Sequence, residues 1–334
     1  MTSAPAERRE IVVSAIIAVY NPNLFYFDQA VASVLNQSYR VHELVLVNDG
    51  GSEQFRSRLP DDSRIRVFTK ENEGVAATRN FAIGKCSGDY IAFLDQDDFW
   101  YSDKLHEQLS MIPFPGAPCM VISTVDIAGS EDYDVHENQK RAHKKRIFLQ
   151  ATSESALLNL AAENFIYSST PLIHRSVLTA VGGFDSWSAP HDDWDLYLRV
   201  VLAGYRIYFY RDKSLSVWRR HEENSSGNAR LMLYAKCRVE QNLLHSTLPP
   251  AVRNVVNKNL LIDYVKRDHM LYKEHRYSRF RKMILLHLPM LMKGYGVTTG
   301  AGAERDSAFN RQIRKITFKS VIRYLLSFIL QARV

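Results

Sequence analysis

The chain has 334 residues, of which 46% are hydrophobic, enough for a substantial core and one or two domains. Its three cysteines, Cys86, Cys119 and Cys237, are dispersed, which argues against a disulfide framework or a C-x-x-C metal site. No run approaches the ~20 apolar residues of a membrane span, and residues 1–10 lack the apolar core of a signal peptide. We therefore expect a cytoplasmic protein, soluble or peripheral on the cytoplasmic face of a membrane.

Charge is distributed unevenly along the chain. Residues 230–334 hold 20 Lys and Arg against 6 Asp and Glu, a net charge of +14, whereas residues 1–229 carry a net charge of −7. A basic, helix-patterned tail is typical of segments that contact anionic surfaces. We expect peripheral contact with an anionic membrane through this region and no nucleic-acid partner. The predicted domains are residues 1–229 and a basic helical region, 230–334.

The first hundred residues alternate between short apolar runs and helical patterns. Ile11–Val19 and Leu44–Val47 read as buried strands and Ile65–Phe68 as a third strand, with helices predicted at Leu24–Leu35 and Gly74–Ile83. This alternation predicts an α/β fold with a doubly wound, mostly parallel sheet flanked by helices. The chain lacks a G-x-G-x-x-G after the first strand and a G-x-x-x-x-G-K-[ST] loop, which argues against dinucleotide-binding and P-loop domains.

The segment 90–100 combines a strand with an acidic cluster. An apolar run from Tyr90 to Leu94 is followed by three carboxylates, Asp95, Asp97 and Asp98. Ligands of α/β sheets bind at the carboxyl ends of the strands, and Asp95 and Asp97 could hold a hard divalent cation. The alternative is an acidic cap and turn before a helix at 103–111. We assign Asp98 to such a cap.

The elements that follow are less regular. Strands are predicted at 120–125, 172–174, 206–210 and 215–218, and helices at 152–162, 175–181 and from 190 to 203. The segment 126–146 reads as a polar excursion over the surface. The helix after Pro190 opens with three carboxylates, Asp192, Asp193 and Asp195, more than capping requires. Residues 315–330 have the pattern of an amphipathic helix, which suits either a membrane surface or packing on the first domain.

Seven motifs in order along 12–226 resemble the family 2 glycosyltransferases of the GT-A fold. They are IIAVYN, VNDGGS, NEGVAATRN, GDYIAFLDQDD, GGFD, HDDWDLYLR and RRHEENSS. The resemblance implies inverting transfer of a sugar from a nucleotide-diphospho-sugar, with a UDP-sugar expected, to an acceptor hydroxyl. The expected acceptor is a growing glycan, such as a cell-surface polysaccharide, lipopolysaccharide or protein-linked glycan.

The resemblance also assigns the donor side of the site. It implies that Tyr20 and Asp49 contact the nucleobase, and that Arg79 contacts the nucleotide or its phosphates. Asp95 would lie near the ribose and metal, with Asp97 as the direct metal ligand. A cation held by carboxylates would neutralise charge on the diphosphate leaving group, and oxygen ligands suit Mg²⁺ or Mn²⁺. His221 stands where similar enzymes place a histidine that reaches the metal or diphosphate; it could equally be a surface histidine.

On the acceptor side, the resemblance aligns the family's acidic pair with Asp192 and Asp193. Asp193 is the predicted general base and Asp192 the alternative, because an attacking hydroxyl must lose a proton. Asp195 is expected to cap or form a salt bridge within its helix. Trp194 is expected in the core rather than as an acceptor platform.

Two departures from the family pattern stand out. Gly50-Gly51 adds a residue to the usual turn, and His191-Asp192 replaces the commoner small residue and Glu. Other classes remain open: a nucleotidyltransferase, which would favour a Gly-rich basic loop after the first strand, or an inactive nucleotide-sugar-binding partner, which would lack the base.

Overall fold

A computed structural model describes residues 10–129, 153–222, 224 and 227–273. The chain divides into two compact units, residues 1–267 and 268–334. The strands are β1 Val13–Val19, β2 Glu43–Asp49, β3 Ile65–Lys70, β4 Tyr90–Asp95, β5 Phe99–Trp100, β6 Cys119–Ala128, β7 Leu172–His174 and β8 Arg206–Arg219. The helices are α1 Leu24–Leu35, α2 Val75–Ile83, α3 Lys104–Ser110, α4 Ser153–Ala162, α5 Arg175–Val181, α6 Asp192–Leu202, α7 Ala229–Leu244 and α8 Pro250–Lys273.

One eight-stranded sheet has the order β3-β2-β1-β4-β7-β6-β8-β5. The pairs β3–β2, β2–β1, β1–β4 and β6–β8 are parallel, and the other three are antiparallel. The predicted class, a mostly parallel sheet flanked by helices, is therefore confirmed. Ala18 pairs with Asp95 and Val19 with Asn48, so β1, β2 and β4 end at the same edge of the sheet.

The sheet separates two apolar cores. Alternate residues of a strand point to opposite faces, and Ile91 and Phe93 lie in one core while Ala92 and Leu94 lie in the other. Burial on both faces explains why these strands are continuous apolar runs in the sequence. Such runs made the parallel half of the sheet predictable.

Two strands differ from the prediction. The segments 206–210 and 215–218 form one strand, β8, which pairs with β6 through register shifts near Thr124. β5 was not predicted: its two residues pair with Val217 and Ser216, more than a hundred residues further along the chain. A two-residue strand has no periodicity of its own to reveal it.

The C-terminal region begins with two helices that join the larger core. Val239 and Leu243 of α7 and Val252 and Val256 of α8 are buried in it. None of the described helices is long and apolar enough to cross a membrane. Residues 126–128 continue strand β6 rather than begin the predicted excursion at 126–146. The part of that excursion from residue 130 onwards and the predicted amphipathic helix at 315–330 lie outside the described residues. The domain limits 1–229 and 230–334 stay a prediction.

Candidate active site

The end of β4 presents Asp95 at the carboxyl edge of the sheet. One carboxylate oxygen accepts a hydrogen bond from Arg79 at 2.6 Å, and the other accepts one from the Ser168 hydroxyl at 2.5 Å. The Asp95 backbone N–H donates to the Ser169 hydroxyl at 3.2 Å. Asp95 is therefore held from two sides, by α2 and by the segment that leads into β7.

Asp97, in the turn after β4, lies beside His221. The His221 Nε2 atom is 2.8 Å from the Asp97 Oδ2 atom, and the Asn224 side chain approaches the same oxygen at 3.4 Å. Arg219 donates to the Asp97 backbone carbonyl at 2.7 Å. The segment after β8 is thereby brought to the acidic turn. Contact of His221 with a metal or diphosphate stays a prediction.

Asp98 does not cap a helix, contrary to our prediction. It is buried, accepts a hydrogen bond from the Ser169 hydroxyl at 2.5 Å and accepts another from the Arg219 backbone N–H at 2.9 Å. Helix α3 starts after Asp103 instead, with no side-chain cap. Asp98 lies in a buried turn beside the segments of β7 and β8, where its carboxylate oxygens accept these hydrogen bonds instead of capping an exposed helix start.

Burial and mutual repulsion disfavour the charged forms of two carboxylates in the acidic turn. Burial, and then the charge of Asp95, raise the pKa of Asp97, and the His221 contact opposes this shift. Burial and the charges of Asp95 and Asp97 raise the pKa of Asp98 well above its ordinary value. A positive charge bound beside these carboxylates would favour their charged forms.

The donor set fits a divalent cation in part. Asp97 and His221 offer an oxygen and a nitrogen at one place; with phosphate oxygens, the carboxylate suits Mn²⁺ or Mg²⁺, and the imidazole favours Mn²⁺. Both oxygens of Asp95 are already bonded within the chain. In the part of the chain that the structure describes, no three His, Cys, Asp or Glu side chains form a metal-binding group. A third protein ligand would require Asp95 to exchange partners.

Arg79 joins the acidic turn to the start of α6. Its guanidinium donates to Asp95 at 2.6 Å and to Asp192 at 3.0 Å, and it lies 5.2 Å from the centre of the Phe184 ring. Arg79 and Asp192 are both buried, so this is a shielded ion pair. The structure thus brings together two carboxylates that lie 97 positions apart. Nucleotide contact by Arg79 stays a prediction.

Asp193 follows Asp192 at the start of α6 and is largely, though not fully, buried. Its carboxylate accepts a hydrogen bond from the Trp194 backbone N–H at 2.6 Å, and the Asn164 amide approaches it at 3.4 Å. Burial, and then the Asp192 charge, raise the pKa of Asp193 to about 7, against the opposing effect of Arg79. A carboxyl group with this pKa can take a proton near neutral pH.

Asp195 and Trp194, which also lie in α6, have the structural roles predicted for them. Asp195 forms an ion pair with Arg199 at 2.7 Å, one helical turn along. Trp194 is buried in the larger core, and its indole N–H donates to the Leu160 carbonyl at 2.8 Å.

Tyr20 and Asp49 lie at the ends of neighbouring strands β1 and β2. The Tyr20 side chain is half exposed, and its backbone exchanges hydrogen bonds with the Gln96 amide at 2.8 and 3.1 Å. Asp49 is buried and accepts from Lys70 at 2.9 Å and from the Gly74 backbone N–H at 2.8 Å. Its pKa is lowered because hydrogen bonds outweigh the effect of burial. Nucleobase contact by either residue stays a prediction, and for Asp49 it would require these bonds to be shared.

The extra glycine of the β2 turn has a steric reason. A Cβ atom on Gly51 would lie 2.9 Å from the Asn21 backbone nitrogen and 3.3 Å from the Tyr20 ring. Only glycine lets the turn after β2 approach the end of β1 this closely.

Sequence reasoning missed three residues that fix the acidic turn. Ser168, Ser169 and Arg219 bind Asp95, Asp98 and the Asp97 carbonyl, as described above. Arg219 also contacts Gln29 and lies 4.7 Å from the ring centres of Tyr26 and Phe99. The Ser-Ser pair carried no recognisable pattern, and the RRH motif pointed to His221 alone.

Comparison with known proteins gives a family match over part of the chain. Residues 14–175, just under half of the chain, match the family model Glycosyl transferase family 2. This segment is therefore similar to family 2 glycosyltransferases. One relative is the UDP-Glc:alpha-D-GlcNAc-diphosphoundecaprenol beta-1,3-glucosyltransferase WfgD of Escherichia coli. The chain is 39% identical to WfgD over 106 residues, an alignment that covers 31% of the chain and 42% of WfgD. It is 40% identical over 106 residues to the putative teichuronic acid biosynthesis glycosyltransferase TuaG of Bacillus subtilis, covering 30% of the chain and 42% of TuaG.

Solved structures share the GT-A-type fold of this domain. Staphylococcus aureus TarS 1-349 in complex with UDP-GlcNAc gives a TM-score of 0.56 at 18% identity, covering 86% of this chain and 80% of TarS 1-349. The Pyrobaculum calidifontis mannosyltransferase PcManGT with GDP-Man and Mn²⁺ gives 0.57 at 14% identity, covering 97% and 84%. The first four curated relatives are matched over only 15–42% of their own length. Sequence similarity thus supports the domain rather than a complete activity.

Proposed function

We propose that this protein is an inverting glycosyltransferase that moves a sugar from a nucleotide-diphospho-sugar to a hydroxyl of a growing glycan. The observation that supports it most is the Arg79 bridge. The acidic turn after β4 and the carboxylates of α6 lie on either side of the buried Arg79 guanidinium. Such a transfer needs a negatively charged site for a metal and diphosphate and, opposite it, a separate base.

On the donor side, Asp97 and His221 would hold a divalent cation, and Asp95 would lie close behind them. When bound, the cation supplies positive charge to the diphosphate leaving group. Tyr20 and Asp49 would line the nucleobase end, where β1 and β2 terminate. UDP is the expected nucleotide, since TarS 1-349 binds UDP-GlcNAc and WfgD is named for UDP-Glc.

On the acceptor side, Asp193 acts as the base. Its carboxylate takes the proton of the acceptor hydroxyl while that oxygen attacks the anomeric carbon, and the bond to the diphosphate breaks. Attack from the side opposite the leaving group inverts the anomeric configuration, and Asp193 then releases the proton to solvent. Arg79 holds the neighbouring Asp192 in place, so Asp193 keeps a pKa suited to this step.

Glycan assembly is the expected setting. WfgD is named for a lipid-linked GlcNAc acceptor and TuaG for teichuronic acid biosynthesis. We therefore propose an acceptor on a lipid-linked or cell-surface glycan, with a cytoplasmic location and membrane contact through the basic C-terminal region, 230–334. Deleting residues 274–334 should lower the fraction bound to anionic phosphatidylglycerol vesicles. Unchanged binding would contradict the membrane contact.

A thermal-shift screen tests the proposed donor. Because a ligand of the native state raises the melting temperature, one UDP-sugar should stabilise the wild-type protein in the presence of Mn²⁺ or Mg²⁺. Asp97→Ala should lose the metal-dependent part of this stabilisation. Lys213→Ala, which changes a surface ion pair with Asp103, is the matched control and should respond like the wild type. A donor-induced shift that is the same in Asp97→Ala would contradict the assignment.

A further inference from the structure

One tryptophan, six positions before the candidate base in the sequence, is exposed. All four tryptophans lie in the described residues; Trp100 and Trp194 are buried, Trp218 is half-buried, and Trp187 is 66% exposed. An indole ring has a flat apolar face and is costly to leave in water. A pyranose ring has complementary chemistry, since one of its faces presents mainly C–H groups while its hydroxyls point outward.

The Trp187 side chain is held in place from one side. The Arg238 guanidinium of α7 lies 5.3 Å from the centre of the indole ring, a cation–π contact. Arg238 is itself fixed, because it donates to the Ala189 carbonyl at 2.7 Å. The Trp187 backbone N–H donates to the Asp185 carboxylate at 2.9 Å. A ring anchored in this way loses little conformational entropy when a ligand stacks on it.

The loop that carries Trp187 connects α5 to α6, and residues of α2 contact both of its ends. Asn80 bonds both the N–H and the carbonyl of Phe184, at 2.8 and 2.7 Å. Arg79 contacts the Phe184 ring at one end of the loop and the Asp192 carboxylate at the other. Trp187 thus lies in the middle of a short loop, six positions before Asp193 in the sequence. Both ends of this loop contact Arg79 of the candidate site.

We propose that Trp187 is the stacking platform for a sugar ring of the acceptor, with Arg238 supporting the other face of its indole. This rests on the proposed function, since Asp193 must meet an acceptor hydroxyl beside this loop. The platform selects pyranose acceptors over hydroxyl compounds without a ring. It also gives α7 a part in acceptor binding, because α7 supplies the support.

The test uses the full chain, the UDP-sugar found by the donor screen, and octyl glycosides of glucose, galactose, mannose and N-acetylglucosamine as acceptor probes. Trp187→Ala should raise the KM for the best glycoside at least tenfold, and by a much larger factor than the KM for the donor. Trp187→Phe, which keeps an aromatic face, should recover most of the affinity. Arg238→Met should raise the acceptor KM by an intermediate factor.

Phe114→Ala is the matched control, because Phe114 is 59% exposed on the loop before β6, at the opposite end of the sheet. An acceptor KM in Trp187→Ala equal to that of Phe114→Ala would overturn the proposal. It would also be overturned if the wild type transferred sugar to none of the four glycosides. A change of oligomeric state in Trp187→Ala would instead assign the ring to a contact between copies. Failure of the wild type to bind any nucleotide-sugar would refute the proposed function, a separate result from the donor screen.

Discussion

The pH dependence of transfer should separate the roles of Asp192 and Asp193. The Asp193 pKa rises from its ordinary 3.8 to about 7, which corresponds to roughly 4 kcal/mol against the charged form at 1.36 kcal/mol per pH unit. A base acts only when deprotonated. The wild-type kcat/KM should therefore fall as the pH drops through about 7 and level off above it.

The Asp192→Asn variant tests the cause of this raised pKa. After burial, the Asp192 charge is the largest contribution that raises the pKa of Asp193, and removing it should move the acid limb down by roughly one pH unit, or about 1.4 kcal/mol. Asp193→Asn should lower kcat/KM by about 10²–10⁴-fold on the plateau above pH 7 and should lack the acid limb. Asp195→Asn is the control, since its carboxylate pairs with Arg199, and it should leave the limb in place.

The assay is the initial rate of UDP release with acceptor, measured from pH 5 to 9. An acid limb at the same pH in Asp192→Asn and the wild type would refute the electrostatic coupling. A near-normal rate in Asp193→Asn, together with an inactive Asp192→Asn, would make Asp192 the base.

Two further predictions concern stability. Ser169→Ala removes the donor to buried Asp98 and should lower the free energy of unfolding, measured in urea, by about 1–3 kcal/mol. The control Ser110→Ala, on the surface, should change it by less than ~0.5 kcal/mol. Equal losses in the two variants would contradict the role of Ser169. Lys104 is fully buried against Gln108, and burial holds its pKa well below 10.5. Between the folded-state pKa and 10.5 the unfolded chain therefore binds more protons at Lys104 than the folded chain. The free energy of unfolding of the wild type should rise with pH over that range. Lys104→Met should flatten that rise, as followed by urea unfolding at pH 7 to 10; an unchanged slope would show that Lys104 does not cause it.

The parallel half of the sheet was predictable because its signals are local. Strands β1, β2 and β4 are buried apolar runs, and a polar or glycine-containing turn follows each of them. The edge strand β3 is only partly buried and has Arg66 between Ile65 and Val67. Helix α1 was predicted to the residue, since Asn23 accepts hydrogen bonds from the N–H groups of Phe25 and Tyr26 and so fixes its start.

The contacts that close the acidic turn were not predictable, because they join distant segments. Asp98 reads as a cap in the sequence, yet its two partners lie 71 and 121 positions away. Arg79 was assigned to the nucleotide by resemblance, and its ion pair with Asp192 spans 113 positions. A short-range pattern can indicate the type of residue in a site, but only the folded chain shows how its charges are paired.

The most direct test of the proposed reaction is the configuration of its product. Incubation with the UDP-sugar and the best octyl glycoside, followed by ¹H NMR of the new anomeric proton, reports which face of the sugar was attacked. Direct attack by an acceptor activated by Asp193 predicts the configuration opposite to that of the donor. A product that retains the donor configuration would contradict a single displacement with Asp193 as the base.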